Sequence, residues 1–208
     1  SPQRLLESYR HGIFPWYCDG QPVLWWSPDP RMVLYLDEFR WHRSLVKTVR
    51  HHRRSQGAGG WRVTLNRAFE AVMQACAAPR DGEAGTWITG EMSRAYAGLQ
   101  RLGYAQSVEV WEDESLVGGL YGVSIGRMFF GESMFSWASD ASKVALATLV
   151  CTLRQHGFRV LDCQQNTRHL ASLGAREISR AEFLAEVAEL TQRQGPDWRA
   201  MAIELPDP

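Results

Sequence analysis

Three polar side chains stand where strand-forming residues predominate. Glu132 sits inside Phe129-Phe130-Gly131-Glu132-Ser133-Met134-Phe135, and Asp162 and Gln164 flank one thiol in Leu161-Asp162-Cys163-Gln164. A carboxylate in an apolar strand is costly unless something pairs with it or uses it. Side chains alternate between the faces of a strand, so Asp162 and Gln164 share one face and Cys163 takes the other. Two carboxylates and an amide at strand ends, walled by Phe and Met, suit a small reaction site that moves a proton beside an apolar ligand. The plainer reading of Asp162 and Gln164 is a structural polar pair closing a strand end. Other chemistries fit less well. Gly131-Glu132-Ser133-Met134-Phe135 lacks the second glycine of a nucleophile elbow. Cys163 and His169 form a weaker nucleophile–base pair, because alternation turns Cys163 away from Asp162. No phosphate-binding or dinucleotide fingerprint is present.

The elements that must hold these groups can be read around them. Residues 107–136 are rich in β-branched and aromatic residues with glycines at the breaks, which predicts a three-strand antiparallel meander. Gly118, Gly119 and Gly122 inside it mark a bulge or a close backbone approach. Ser139-Asp140 should cap a core helix over 141–156, ended by Gly157. Residues 159–164 follow as a strand, 167–173 as a short helix and 181–192 as a last helix, with a possible strand at 201–205. Upstream, helices are expected over 4–11, 44–54, 68–77 and 91–102, and strands over 33–36 and 61–65. In the helix over 91–102, Met92, Ala95, Tyr96 and Leu99 share an apolar face. Helix, meander, core helix, strand, helix, strand predicts an α+β fold with a mixed sheet flanked by helices. This is the order of an acetyltransferase (GNAT)-like fold. The turn that would cradle a cofactor pyrophosphate there, Trp137 to Ser142, has no glycine and carries an acid, which argues against acetyl-CoA.

Composition bounds the rest. The chain has 208 residues, 45% hydrophobic and 22% charged, with a net charge of zero. No apolar run reaches the roughly 18 residues needed to cross a bilayer. The four cysteines are scattered without metal-ligand spacing, as expected for reduced thiols in the cytoplasm. Charge is uneven, however. Between Arg40 and Arg54 lie Arg40, Arg43, Lys47, Arg50, Arg53, Arg54 and three histidines, with no acid. Such a stripe is often only a solvated face; its natural partner is a nucleic-acid backbone.

Several motifs together resemble one family. Gly12-Ile13-Phe14-Pro15-Trp16, Trp25-Trp26-Ser27-Pro28-Asp29-Pro30-Arg31, Thr86-Trp87-Ile88-Thr89, Ser107-Val108-Glu109-Val110-Trp111, Leu116 to Val123, Gly131 to Ser136, Asp162-Cys163-Gln164 and Ser172-Leu173-Gly174-Ala175 occur in order. They resemble leucyl/phenylalanyl-tRNA–protein transferases from about Leu5 to Phe183. The resemblance implies a cytoplasmic bacterial enzyme that moves Leu, Phe or Met from aminoacyl-tRNA to the N-terminal Arg or Lys of acceptor proteins, marking them for degradation by the N-end rule. It implies a monomer, and a donor ester that needs no cofactor and no metal. It assigns residues 1–30 to what remains of a small N-terminal lobe and residues 31–208 to the GNAT-like transfer domain. By the same resemblance Asp162 and Gln164 draw the proton from the attacking amine and Glu132 assists or anchors the acceptor. Trp16 and Trp87 hold the terminal adenosine and its amino acid, and Leu120, Phe129 and Met134 line the donor pocket. The basic stripe grips the tRNA. Alternation puts Met134 with Phe130 rather than Phe129, so a shared pocket requires a bulge between them. Two positions depart from the family: Gln100 and Gln106 stand where it usually has His. The competing readings are a non-catalytic tRNA-binding module and an acyl-CoA-dependent N-acyltransferase.

Overall fold

The structure, a computed structural model, describes residues 1–18, 20–55, 59–78 and 88–208. Helix α1 (Pro2–Arg10) leads into two short strands, β1 (Phe14–Pro15) and β2 (Trp25–Trp26), that pair with each other. Strand β3 (Arg31–Tyr35), helix α2 (Arg43–Arg54), strand β4 (Trp61–Leu65) and helices α3 (Phe69–Ala77) and α4 (Gly90–Arg101) follow. The meander is β5 (Ala105–Glu112), β6 (Ser115–Ile125) and β7 (Met128–Ser136). Then come α5 (Ala141–Gln155), β8 (Val160–Gln164), α6 (Arg168–Ser172), β9 (Arg176–Ile178) and α7 (Arg180–Leu190).

Seven strands form one sheet in the order β4-β5-β6-β7-β8-β3-β9. All neighbours are antiparallel except β7 and β8, which α5 joins as a parallel pair. The α+β class, the meander and the core helix agree with the sequence expectation. Alternation along the strands feeds two cores. Tyr121, Phe130 and Val33 point to the face covered by α1, α3, α4 and α7. Leu120, Phe129 and Leu34 point to the face covered by α2 and α5. Helix α5 lies close on β6 because Gly118 has no side chain: a Cβ there would stand 2.5 Å from that of Ala141.

Two features place the site. The β7–β8 ladder holds only Phe129↔Leu161 and Phe130↔Asp162, so the strand ends beyond it are unpaired with each other. Between β6 and β7, Tyr121 opposes Ser133 and Gly122 opposes Gly131, leaving Glu132 as the extra residue of a β-bulge. The inserted residue returns Met134 to the face of Phe129, opposite Leu120.

Two local expectations fail. Asp140 adopts a left-handed conformation (φ 67°), and its carboxylate bonds Lys143 Nζ at 2.6 Å instead of capping α5. Ser136 Oγ accepts the Ser142 N–H in its place (3.1 Å). Residues 201–205 form no strand. They run as irregular chain whose Leu205 is buried against the second core. Among the described residues, no helix is long and apolar enough to cross a membrane.

Candidate active site

The bulge turns the Glu132 carboxyl toward two phenols. Tyr9 Oη of α1 donates to Oε1 at 2.6 Å, Tyr96 Oη of α4 donates to Oε2 at 2.9 Å, and the two phenols lie 2.6 Å apart. Gln164 Nε2 donates to Oε1 at 2.9 Å. Burial pushes the Glu132 pKa up to about 8; the bonds from Tyr9, Tyr96 and Gln164 oppose that rise, and the neighbouring Asp162 charge adds to it. Burial raises both phenols further above their ordinary range, so they stay protonated and remain donors. Glu132 itself is partly exposed and faces a cleft of about 1140 Å³.

Asp162 is held differently. Its side chain is fully buried against Arg31, which donates through Nε to Oδ1 at 2.8 Å and through Nη2 to Oδ2 at 2.6 Å. Asp162 Oδ1 also accepts the backbone N–H of Gln164 at 2.9 Å. Glu132, Asp162 and Gln164 therefore do come together, as the sequence suggests, but one carboxylate faces a guanidinium and the other faces neutral donors.

The cleft continues through the gap between β7 and β8. Leu120, Phe129 and Met134 line it from the second core, with Leu146, Leu149 and Leu161 behind them. Trp16 lies at the mouth, 42% exposed, its carbonyl accepting Trp26 Nε1 at 2.8 Å and its N–H bonded to Leu24 O. Trp87 lies outside the described residues. Neither Gln100 nor Gln106 lines the cleft. Gln106 is buried, donating to Gly103 O and accepting from Asn66 Nδ2, both at 2.6 Å, which is a structural contact. Cys163 Sγ makes only a weak contact with Leu161 O, and burial pushes its thiol up, which makes it a poor nucleophile.

The basic stripe is exposed. Leu45 and Val49 anchor α2 to the second core, leaving Arg43, Lys47, Arg50, Arg53 and Arg54 outward, with Arg40 exposed just before the helix. Arg43, Lys47, Arg50 and Arg54 line a shallow cleft of about 760 Å³. Two of the cations are partly engaged by the tail: Arg50 Nη2 donates to Pro208 O at 2.8 Å, and Arg53 pairs with Asp207 at 3.2 Å.

Sequence reasoning did not single out Arg31, Tyr9 or Tyr96 for the site. The available signal was chemical: a tyrosine on a core face must satisfy its hydroxyl, and a buried carboxylate needs a donor.

A mixed sheet opens beside its core helix, with a carboxyl and an amide at the opening and an apolar pocket through it, an arrangement suited to a small reaction site beside an apolar ligand. Comparison with known proteins supplies the family. Residues 33–188 match the model of the leucyl/phenylalanyl-tRNA protein transferase family, and residues 1–29 match that of its N-terminal domain. A leucyl/phenylalanyl-tRNA–protein transferase of Janthinobacterium sp. (strain Marseille) is 52% identical over 98% of this chain and 84% of that protein. One from Pseudomonas aeruginosa (strain LESB58) is 61% identical over 88% of this chain and 78% of that protein. The chain belongs to the leucyl/phenylalanyl-tRNA–protein transferase family and is a transferase. Among solved structures, L-PGS from Bacillus licheniformis aligns with a TM-score of 0.44 at 11% identity, covering 92% of this chain and 71% of that one. A GCN5-related N-acetyltransferase-like protein from Streptococcus suis aligns at 0.34 and 12%, covering 85% and 64%. Likeness at these scores is too slight to bear on the site.

Proposed function

We propose that this protein transfers Leu, Phe or Met from the 3′ end of aminoacyl-tRNA to the N-terminal α-amino group of proteins beginning with Arg or Lys, and so marks them for degradation by the N-end rule. Family membership supports the donor and the class of acceptor. The observation that carries the mechanism is the Glu132 carboxyl, held by Tyr9, Tyr96 and Gln164 above a gap that opens on an apolar pocket.

The acceptor amine attacks the ester carbonyl carbon. A C–N bond forms, the ester C–O bond breaks, and the tRNA hydroxyl leaves with a proton. An α-amino group titrates at roughly 7.7–8.0, so much of it is neutral near pH 8. As the bond forms, its nitrogen becomes acidic, and Glu132, with its pKa near 8, is matched to take that proton and return it to the leaving oxygen. Gln164, with Nε2 bonded to Glu132, offers its carbonyl oxygen to an amine N–H. The donor side chain enters the pocket of Leu120, Phe129 and Met134. Trp16, together with Trp87, holds the adenosine end, and the Arg40 to Arg54 stripe takes the phosphate backbone. Residues 1–30 serve as a small lobe that brings Tyr9 and Trp16 to the transfer domain of residues 31–208. The protein works as a monomer in the cytoplasm.

The test is incubation with radiolabelled Leu-tRNA and a peptide beginning with Arg. Label entering the peptide is the expected result. Retention of tRNA without transfer, or transfer from an acyl-CoA alone, overturns the reading. Arg43→Glu with Lys47→Glu should weaken tRNA binding and reduce the slope of log K against log salt by about 1 for each lost phosphate contact. Unchanged binding moves the tRNA surface elsewhere.

A further inference from the structure

We infer that Trp137 is the platform on which the base next to the terminal adenosine of the donor tRNA stacks. This rests on the aminoacyl-transfer reading above and adds a nucleic-acid contact between the terminal nucleoside and the rest of the tRNA.

Exposure singles out Trp137 first. Its indole is 64% exposed, so most of its apolar surface stands in water. Of the large hydrophobic side chains exposed among the described residues, only Trp16 and Trp137 line the cleft. A single exposed apolar side chain needs no explanation. Two indoles at one cleft mark a place where a flat or apolar ligand rests.

The fold fixes where this indole stands. After the bulge at Glu132, Phe135 points to the first core. Ser136 turns to the other face, where its Oγ accepts the Ser142 N–H at 3.1 Å. Trp137 returns to the side of Phe135, and the two rings meet 4.9 Å apart between centroids with 60° between their planes. The backbone is held as well: Val117 O accepts the N–H of Trp137 at 2.8 Å and that of Ala138 at 3.2 Å. A ring braced through one tilted contact keeps a face open to a ligand without having to be ordered by it.

The donor supplies the occupant. Trp137 lies five residues beyond Glu132, which is roughly 15 Å of strand. With the ester at Glu132 and the terminal nucleoside at Trp16, the next group along the donor is the unpaired nucleotide before the adenosine. That nucleotide is a cytidine in every tRNA, so one platform serves Leu, Phe and Met donors alike. Stacking on an aromatic side chain needs only the flat face of a base. Acceptor proteins differ in the residues after their first, so a fixed indole offers them no common contact.

A double-mutant cycle across the contact is the test. Phe-tRNA with its natural 3′ end is compared with Phe-tRNA carrying an abasic residue in place of the penultimate cytidine, each with the unsubstituted protein and with Trp137→Ala. KM for Phe-tRNA should rise about five- to a hundredfold when the indole is removed, by a similar factor when the base is removed, and no further when both are absent. At saturation kcat should hold, and KM for 3′-O-phenylalanyl-adenosine, which has no second base, should stay within about twofold. Trp137→Phe, with a smaller ring, should fall between and serves in the cycle should the Ala variant fail to fold. Multiplying effects, an unchanged KM for Phe-tRNA, or an equal rise for phenylalanyl-adenosine overturns the assignment. A KM change confined to the Arg-initial peptide also overturns it and gives Trp137 to the acceptor. Absence of transfer from every donor by the unsubstituted protein refutes the functional reading instead, and Kd values of the same two RNAs then close the cycle by binding alone.

Discussion

Glu132 and Glu109 look alike in the sequence, each a single carboxylate among strand-forming residues, yet the two regions use them in opposite ways. Glu109 of β5 is fully buried and accepts from Ser107 Oγ at 2.6 Å, from Thr64 Oγ1, and from the backbone N–H groups of Arg67 and Ala68. Ala68 immediately precedes α3 and cannot cap it with its own side chain; Glu109 instead ties down the chain leading into the helix, through the Arg67 and Ala68 N–H groups. Burial raises Glu109 from its ordinary range while those donors pull it down. Glu132 is also raised by burial, but one side of it faces a cleft. A buried carboxylate in a strand is thus no site by itself. What distinguishes the two is whether the surrounding structure leaves an approach for a second molecule.

The largest expected effect is at Glu132. Glu132→Gln keeps the shape and a carbonyl acceptor but removes the base, and transfer per folded molecule should slow by about 10²–10⁴-fold. A loss of only a few-fold would place Glu132 beside Glu109 as a structural group. Glu109→Gln should do the reverse. Its new amide hydrogens face donors, which costs about 1–3 kcal/mol in stability and leaves kcat per folded molecule unchanged. Denaturant melts beside single-turnover rates would measure both, and a matching fall in rate would erase the contrast.

The pH dependence is a finer probe. In the unsubstituted protein the acceptor amine and Glu132 both lose protons on the way to the active form, so log kcat/KM should climb below pH 8 with a slope of about 2, falling to about 1 in Glu132→Gln. A slope near 1 in both would remove Glu132 from proton transfer. Stability should move the other way. Both carboxyls have folded pKa values above their ordinary 4.5, so the folded state binds more protons than the unfolded one, and stability is lost as pH rises from about 4.5 through the folded values, near 8 for Glu132. Melting temperatures of the Glu109→Gln, Glu132→Gln double variant should depend less on pH across that window. An equal dependence would point to other groups.

Much of the positioning was legible without coordinates. Alternation demanded a bulge if Phe129 and Met134 were to share a pocket, and the bulge is present with Glu132 as its inserted residue. Glycines in β6 announced close approach, and Gly118 meets α5. The Asp140 cap was misread because a helix N-cap is recognised by residue type, whereas its bond depends on a backbone conformation that Lys143 and Ser136 help decide. The 201–205 strand was misread because an alternating apolar tail resembles a strand whether it pairs with a sheet or packs its side chains on a core, as Leu205 does here.

By itself the sequence determined which residues are strand and helix formers, where alternation breaks, which polar groups must find partners, and to which family the chain belongs. Those properties are local, or are carried by short motifs. Only the tertiary structure decided which partner each polar group found. Arg31 and Asp162 are 131 residues apart, and Tyr9 and Glu132 are 123 apart; no periodicity links such positions. The surroundings of the two carboxylates follow from those distant partners. A guanidinium compensates the charge of Asp162, while neutral phenols and an amide face Glu132 beside the cleft.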